Sequence, residues 1–238
     1  ELTEEILVIT FSRKAAVEIR ERLQKKVGDV NLKVKTFHAY CLYAIQKFHP
    51  EYLSKRVLVI DPEEKEALFK EYFRKERFKV GGIPYRLLLG ENSNLKLKFP
   101  EIFSELDEIY INYKVQTKKV DFKDLILIFL EALKANYDWA LSAKKEIKRI
   151  IVDEFQDTDM EQLELLQFMS PEKLTVVGDD WQAIYGFRGA STLPFLKFQE
   201  IFTPCAVHFL GTNYRSLPEI IRISSLPISK NKKNIKKN

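Results

Sequence analysis

Nine residues, Ile150–Thr158, read I-I-V-D-E-F-Q-D-T. An apolar run ending in two carboxylates is the pattern of a strand buried on both faces. Asp153 and Glu154 then fall at its carboxyl end, where open α/β sheets hold their ligands. The neighbouring segments extend this pattern. Upstream, Ile6–Phe11 is a second buried-strand run, and Ser12 is placed to cap a following helix. Ala15, Ala16, Ile19 and Leu23 recur at helical spacing and face the sheet, and Gly28-Asp29 ends that helix. Val34–Phe37 reads as a short strand and Ala39–Phe48 as a helix, with Pro50 beyond its end. Downstream come a helix over Met160–Met169 and a strand over Leu174–Gly178. A short strand over Ala206–Leu210 and a helix from about Pro218 complete the pattern. Alternation of strand and helix predicts a parallel α/β sheet flanked by helices.

Between residues 51 and 119 the character changes. This stretch is charged and aromatic, with helical periodicity in Glu63–Phe78 and Glu101–Tyr113. Gly81-Gly82, Pro84 and Asn92-Ser93-Asn94 punctuate it, and it lacks a parallel-strand signal. It reads as a helical insertion between two strands. Asp121–Ala135 then returns to the core as a strongly apolar helix. The sequence contains no internal repeat.

Composition sets outer limits. The 238 residues are 45% hydrophobic, which is ample for a globular core. Cys41 and Cys205 lack metal-ligand spacing, and two thiols in a chain this size suit a reducing compartment better than a disulfide framework. No apolar run approaches the roughly 18 residues that span a bilayer. The net charge is +5, but five of the 39 Lys and Arg lie in residues 227–238, where there is no acid. The remaining 34 balance the 34 acidic residues, so the basic excess is a tail effect. His38, His49 and His208 are scattered, which excludes a zinc constellation. The chain holds no G-x-S-x-G nucleophile motif and no cysteine–histidine nucleophile arrangement.

Val176–Ala190 reads V-V-G-D-D-W-Q-A-I-Y-G-F-R-G-A. It joins a tight polar turn to aromatic and arginine side chains. With Ile150–Thr158 and four further segments it resembles the UvrD/Rep family of superfamily 1 DNA helicases. Those four are I-T-F-S-R-K-A-A-V-E-I-R-E-R-L (Ile9–Leu23), V-K-T-F-H-A-Y-C (Val34–Cys41), V-D-F-K-D-L-I (Val120–Ile126) and L-G-T-N-Y-R-S (Leu210–Ser216). One such segment is weak; six in matching order are specific. The resemblance implies a RecA-like parallel sheet of the P-loop NTPase type with an inserted helical subdomain. It divides the chain into a first part of motor domain 1A (1–50), helical subdomain 1B (51–119), the remainder of 1A (120–206) and the start of a second motor domain, 2A (207–238).

The resemblance also assigns roles. Hydrolysis of ATP needs a metal ion, a polarised water and compensation of charge on the γ-phosphate. Asp153 is expected to hold Mg²⁺ through water and Glu154 to orient or deprotonate the attacking water. Alone, a D-E pair reads as a strand end capping the next helix. Gln182 is the expected γ-phosphate sensor, Arg215 the arginine reaching the γ-phosphate across a cleft, and Tyr214 the stacking partner of adenine. Tyr185, Phe187 and Arg188 are expected to grip single-stranded DNA by base stacking and phosphate contact. Phenylalanine stands at 187 where the family usually has tryptophan, which keeps a stacking face but loses area. Phe11, Thr36, Phe37 and His38 lie in the strand-contacting motifs. Thr36 and His38 can reach phosphate or sugar and Phe37 can pack or stack, although a core role competes at both aromatic positions. Lys14 and Arg13 are further phosphate contacts, or simply a solvated helix start.

The phosphate loop, G-x-x-x-x-G-K-[ST], is absent: none of the eight glycines precedes Lys-Ser or Lys-Thr. In the family that loop lies N-terminal to the Ile9–Leu23 motif. The expectation is therefore an internal piece of a longer, cytoplasmic helicase of 3′→5′ polarity, with the P-loop strand's absence leaving a gap in the sheet. Its expected partners are single-stranded DNA, duplex junctions and repair or replication proteins, and the isolated piece is expected to be inactive. A helicase–nuclease subunit of the RecB/AddA type shares these motifs, and a non-enzymatic single-strand-binding remnant is the third reading. Phe187→Ala is expected to weaken single-strand binding by roughly 1–3 kcal/mol. Fluorescence anisotropy with a labelled oligonucleotide checks this, and unchanged affinity would make Phe187 a packing residue.

Overall fold

A computed structural model describes residues 3–28, 31–75, 97–179, 182 and 193–229. Four parallel strands, β1 (Ile6–Ile9), β2 (Lys33–Lys35), β3 (Arg149–Val152) and β4 (Lys173–Val176), form one sheet in the order β2-β1-β3-β4. Leu7 pairs with Ile150 and Ile9 with Val152, so these four side chains share one face, and all four are buried. That face meets α2 (Phe37–Phe48), α5 (Phe122–Lys134), α6 (Asp138–Lys145) and α7 (Met160–Met169) in the main core. On the other face, α1 (Arg13–Val27) sets Ala16, Ile19 and Leu23 against Val8 and Val34.

Local chemistry fixes the helix ends. Ser12 has extended backbone and accepts a hydrogen bond from the Ala15 amide at 3.1 Å, starting α1. Gly28, at φ 83°, ends it by donating its amide to the Gln24 carbonyl. Asp121 and Asp124 form a reciprocal capping box at the start of α5. That helix carries the centre of the core: Leu125, Ile126, Phe129, Leu130 and Leu133 are all buried.

The stretch from 60 to 119 leaves and returns at one point. Val59 and Val120 form an isolated parallel bridge, with Ile60 donating to the Val120 carbonyl and Val120 to the Leu58 carbonyl. Beyond the bridge, α3 (Pro62–Lys75) and α4 (Pro100–Thr117) share a smaller core of their own, built from Ile60, Phe69, Phe103, Leu106 and Tyr110. Lys119 pairs with Glu64 and Lys114 with Asp124, tying α4 to the base of the bridge.

Several sequence expectations shift. The strands are shorter than their apolar runs. β1 stops at Ile9, β3 at Val152 and β4 at Val176, because the following residues turn into the site. The second strand is Lys33–Lys35 rather than Val34–Phe37: Thr36 caps α2 and Phe37 is its first residue. Ala206–Leu210 is not a strand. It is exposed and pairs with no strand among the described residues, and extended backbone without a neighbouring strand has little to hold it. The short helix α6, which buries Trp139, Ala140 and Ala143, has no clear sequence signal in its eight residues. β3 is not buried on both faces. Ile151 is 37% exposed, because on that side α1 packs over β1 and β2. Among the described residues the four strands pair without a gap, and both β2 and β4 present an open outer edge.

Among the described residues no helix is long and apolar enough to cross a membrane. Two further α-helices, α8 (Leu193–Leu196) and α9 (Phe198–Ile201), set Phe195 and Phe198 against Phe155, and α10 covers Pro218–Ser229. Phe129→Ala is expected to lower stability by about 3–5 kcal/mol in urea unfolding, as for other buried aromatic truncations. Ile151→Ala should cost about 1 kcal/mol or less. Equal losses would mean that the α1 side of β3 is also core.

Candidate functional site

The carboxyl ends of β1, β3 and β4 meet at Asp153. Its amide donates to the Ile9 carbonyl at 2.8 Å, extending the ladder one residue past β3. On the other side, the Val177 amide donates to the Val152 carbonyl and the Phe155 amide to the Val177 carbonyl, at 2.8 and 2.9 Å. Between these anchors Glu154 is forced into the left-handed region, at φ 53° and ψ 43°. For a residue with a Cβ this conformation costs about 1–2 kcal/mol. The turn projects two adjacent carboxylates from the strand end, one half-buried and one exposed.

The Asp153 carboxyl is pushed up from its ordinary value, first by burial and then by the charge of Glu154, against a lowering hydrogen bond from the Glu154 backbone. Asp157, in the short 3-10 turn Phe155–Asp157, is buried and likewise pushed up, by burial and then by Glu154. Its Oδ1 and the buried Thr10 Oγ1 have no hydrogen-bond partner among the described residues. Groups of this kind call for a polar or cationic partner.

Gln156 links this turn to the next motif. It is 2% exposed. Its Nε2 donates to Glu154 Oε2 at 2.7 Å, and its Oε1 accepts from the Asp179 amide at 3.0 Å. Only one orientation of the amide satisfies both partners. Asp179 Oδ2 in turn accepts from Gln182 Nε2 at 2.9 Å, and the Gln182 amide donates to the Asp179 carbonyl. A continuous path therefore runs Glu154–Gln156–Asp179–Gln182. Gly178 permits it: a Cβ there would lie 2.6 Å from Gln156 Oε1 and 2.7 Å from Phe195. Sequence reasoning gave Gln156 no role. The signal available was a lone amide in an otherwise acidic F-Q-D run.

A second grouping forms around Phe122, the first residue of α5. The His38 ring packs edge-on against it at 5.7 Å, and the Arg13 guanidinium lies over it at 6.0 Å. Three of the motif segments thus converge on one aromatic ring. His38 is pushed down by burial, partly offset by Asp121, and the net shift favours the neutral ring. Thr36 uses its hydroxyl as acceptor for the Ala39 amide, as the cap of α2. Phe37 is buried in the main core, so its ring packs. Phe11 is 40% exposed at the end of β1.

The remaining expected residues are not drawn into this cluster. Tyr185, Phe187 and Arg188 lie outside the described residues. Tyr214 is 93% exposed, and Arg215 is exposed beside it. The Asn213 side chain accepts from the amides of Arg215 and Ser216, shaping a local turn. Among the described residues no hydrogen bond or ion pair joins the Tyr214 or Arg215 side chain to Asp153 or Glu154. Cys41 is buried and Cys205 exposed, both as free thiols.

The family model for the UvrD/REP helicase N-terminal domain matches residues 2–203, which includes every strand of the sheet. The chain belongs to the UvrD/REP helicase N-terminal domain family. Among curated proteins it is 30% identical over 245 aligned positions to "ATP-dependent DNA helicase PcrA" of Staphylococcus aureus (strain Mu50 / ATCC 700699). It is 29% identical to the protein of the same name from Staphylococcus epidermidis (strain ATCC 12228 / FDA PCI 1200). Each alignment covers 95% of this chain and 34% of the relative, so the chain spans about a third of the length of the relatives it matches. This UvrD/REP domain carries its acidic turn at the carboxyl ends of a parallel sheet, as an open α/β fold requires.

The Asp153 shift has a thermodynamic consequence. A carboxyl whose folded pKa lies above its ordinary 3.8 binds its proton more tightly in the native state. Its deprotonation therefore costs stability as pH rises through the window starting near 3.8, and the cost is complete above the folded value. Asp153→Asn is expected to raise Tm at neutral pH, with the gain shrinking to nothing as pH falls through that window. A gain independent of pH, or a loss at neutral pH, would contradict this origin of the shift.

Proposed function

We propose that this chain is the ATP-hydrolysing and strand-gripping segment of a DNA helicase motor, which translocates 3′→5′ on single-stranded DNA. The hydrogen-bond path from Glu154 through Gln156 and Asp179 to Gln182 supports this reading most directly. It couples the expected base to the expected γ-phosphate sensor through one buried amide. A change at Gln182 on loss of the γ-phosphate would be felt at Glu154 through two side chains.

In the proposed reaction a water oxygen attacks the γ-phosphorus of ATP and the bond to the ADP oxygen breaks. Glu154 orients the water and accepts its proton. Arg215 supplies a planar, permanent positive charge to the γ-phosphate, and Tyr214 stacks on the adenine; both await closure of a cleft onto the strand ends. Asp153 would hold Mg²⁺. Among the described residues no three His, Cys, Asp or Glu side chains are grouped to hold a metal ion. Asp153 would supply one carboxylate, and water and phosphate oxygens the rest of the shell of such an ion. When bound, the ion would neutralise charge on the β- and γ-phosphates.

The proposed DNA contacts are Phe11, His38 and Thr36 on the early motifs and Tyr185, Phe187 and Arg188 on the later one. His38, kept neutral, would act as a hydrogen-bond donor rather than a cation. The closed bridge at Val59 and Val120 and the separate core beyond it support an inserted subdomain 1B. Tyr52, Val57 and Val59 pack on the main core, so the proposed 51–119 division is supported from residue 60 onward. Residues 1–50 and 120–206 are proposed as 1A and 207–238 as the start of 2A. Duplex junctions and repair or replication proteins are the proposed partners, in the cytoplasm.

The phosphate cradle supplies backbone N–H groups and a lysine to the β- and γ-phosphates. The 238-residue chain contains no such motif and is expected to show no robust ATP turnover. In a polypeptide extended upstream of Glu1 to include a phosphate loop, Glu154→Gln is expected to abolish single-strand-stimulated turnover while a fluorescent ATP analogue still binds. Equal loss of turnover and binding would assign Glu154 to structure. Robust turnover by the 238-residue chain would overturn the need for the loop.

A further inference from the structure

A cleft of about 630 Å³ lies between α1 and α2, along the outer edge of β2. One strand, β1, separates it in the sheet order from the acidic turn, which sits at the end of β3. Four cations line it: Arg20 from α1, Lys33 and Lys35 from β2, and Lys47 from α2. Two carboxylates, Glu4 and Glu146, face them. Glu146 is ion-paired, whereas Glu4 holds a neutral amide and keeps its charge, so four cations against two carboxylates leave the cleft net positive. Glu146 takes Lys47 at 2.8 Å, Lys33 at 3.4 Å and the Tyr43 hydroxyl at 3.0 Å, and Glu4 accepts from Asn31 Nδ2 at 3.0 Å. Among the described residues, neither Arg20 nor Lys35 has a carboxylate partner.

These two cations are also held in place. Arg20 Nη2 donates to the Val34 carbonyl at 2.9 Å, on the strand edge, which fixes one side of its guanidinium and leaves the other donors available. The Lys35 ammonium lies 5.1 Å from the Tyr43 ring centre. Lys35 is pushed down from its ordinary value by burial, then by Arg20 and by Lys33. Lys47 also lies over the Tyr43 ring, at 5.3 Å. With two ammonium groups against it, that ring is not offered to a nucleobase. The cleft therefore selects for anionic oxygen and not for a base.

We propose that this cleft is a phosphate-binding site in which Arg20 and Lys35 are the primary contacts. Its ligand is a phosphate group, either of a nucleic-acid backbone or of a free polyphosphate. A guanidinium fork beside an ammonium is a standard pairing for phosphate oxygen. The cleft is separate from the hydrolytic turn, so it adds an anchoring point and does not take part in the hydrolysis.

The test uses the 238-residue chain with two probes, a fluorescein-labelled oligothymidylate and inorganic tripolyphosphate. Acylation of lysines, mapped by mass spectrometry, reports protection at Lys35 itself. Lys35→Gln and Arg20→Gln are compared with Lys35→Arg, which keeps the charge, and thermal melts verify that each variant is folded. Protection of Lys35 by the oligonucleotide alone identifies a nucleic-acid backbone as the source. Protection by tripolyphosphate, with or without the oligonucleotide, identifies a site for phosphate in general. In either case the protecting probe should bind the double glutamine variant at least about tenfold more weakly. With an oligonucleotide ligand the slope of log K against log salt should fall by about 0.7 for each phosphate that is no longer neutralised. Lys35→Arg should retain most of the affinity. If neither probe protects Lys35, or if the folded glutamine variants bind as the parent does, the proposal is overturned. Oligonucleotide binding that survives in those variants would leave the proposed helicase reading untouched.

Discussion

The turn at Glu154 depends on a ladder that continues after its strand has ended. Asp153 is tied to Ile9 on one side, and Phe155 is tied to Val177 on the other. Residues two apart on an extended strand point their amides at the same neighbour. These two amides reach opposite neighbours, so the residue between them leaves the extended conformation and takes the left-handed one. The cost of about 1–2 kcal/mol is offset by these bonds and by the burial of Phe155 against Phe195 and Phe198. The same geometry aims one carboxylate partly inward and the next outward. Burial of Asp153, and then the charge of Glu154, raises the pKa of Asp153.

Gln156 extends that constraint into the following motif. Buried amides are costly unless both ends are satisfied, and this one is satisfied by groups on two different loops. The loops are thereby held in one relative position. Gly178 is required for the close approach, since any side chain there would collide with Gln156 and Phe195. A buried polar link of this kind favours rigidity at the strand ends over raw stability.

The sheet is asymmetric in a way that separates two chemistries. One face is sealed by four helices around Phe129 and Leu125. The other is covered by α1 over β1 and β2, leaving Ile151 of β3 partly exposed. Acidic side chains gather at the carboxyl end of β3, and cations gather along the outer edge of β2. In the helical excursion, Val59 and Val120 close the base, and the described apolar residues of α3 and α4 pack on one another.

Much of this was legible from local pattern. Ser12, Gly28 and Asp121 declare their helix ends, since a cap needs only its own neighbours in sequence. The apolar runs mark β1, β3 and β4, and the helix Met160–Met169 falls where its periodicity puts it. Asp153 and Glu154 stand out because two charges seldom follow three β-branched residues. The run lengths misled at the strand ends. An apolar residue such as Phe155 or Phe37 can be buried by a turn or a helix as well as by a strand, and hydrophobicity does not distinguish them. Ala206–Leu210 has strand composition but no neighbouring strand among the described residues, and pairing is a tertiary property. The roles of Gln156 and Phe122, and the meeting of Arg20 with Lys35, were also decided only by the fold. Each depends on groups from separate elements approaching within a few ångströms, and no local rule encodes those distances.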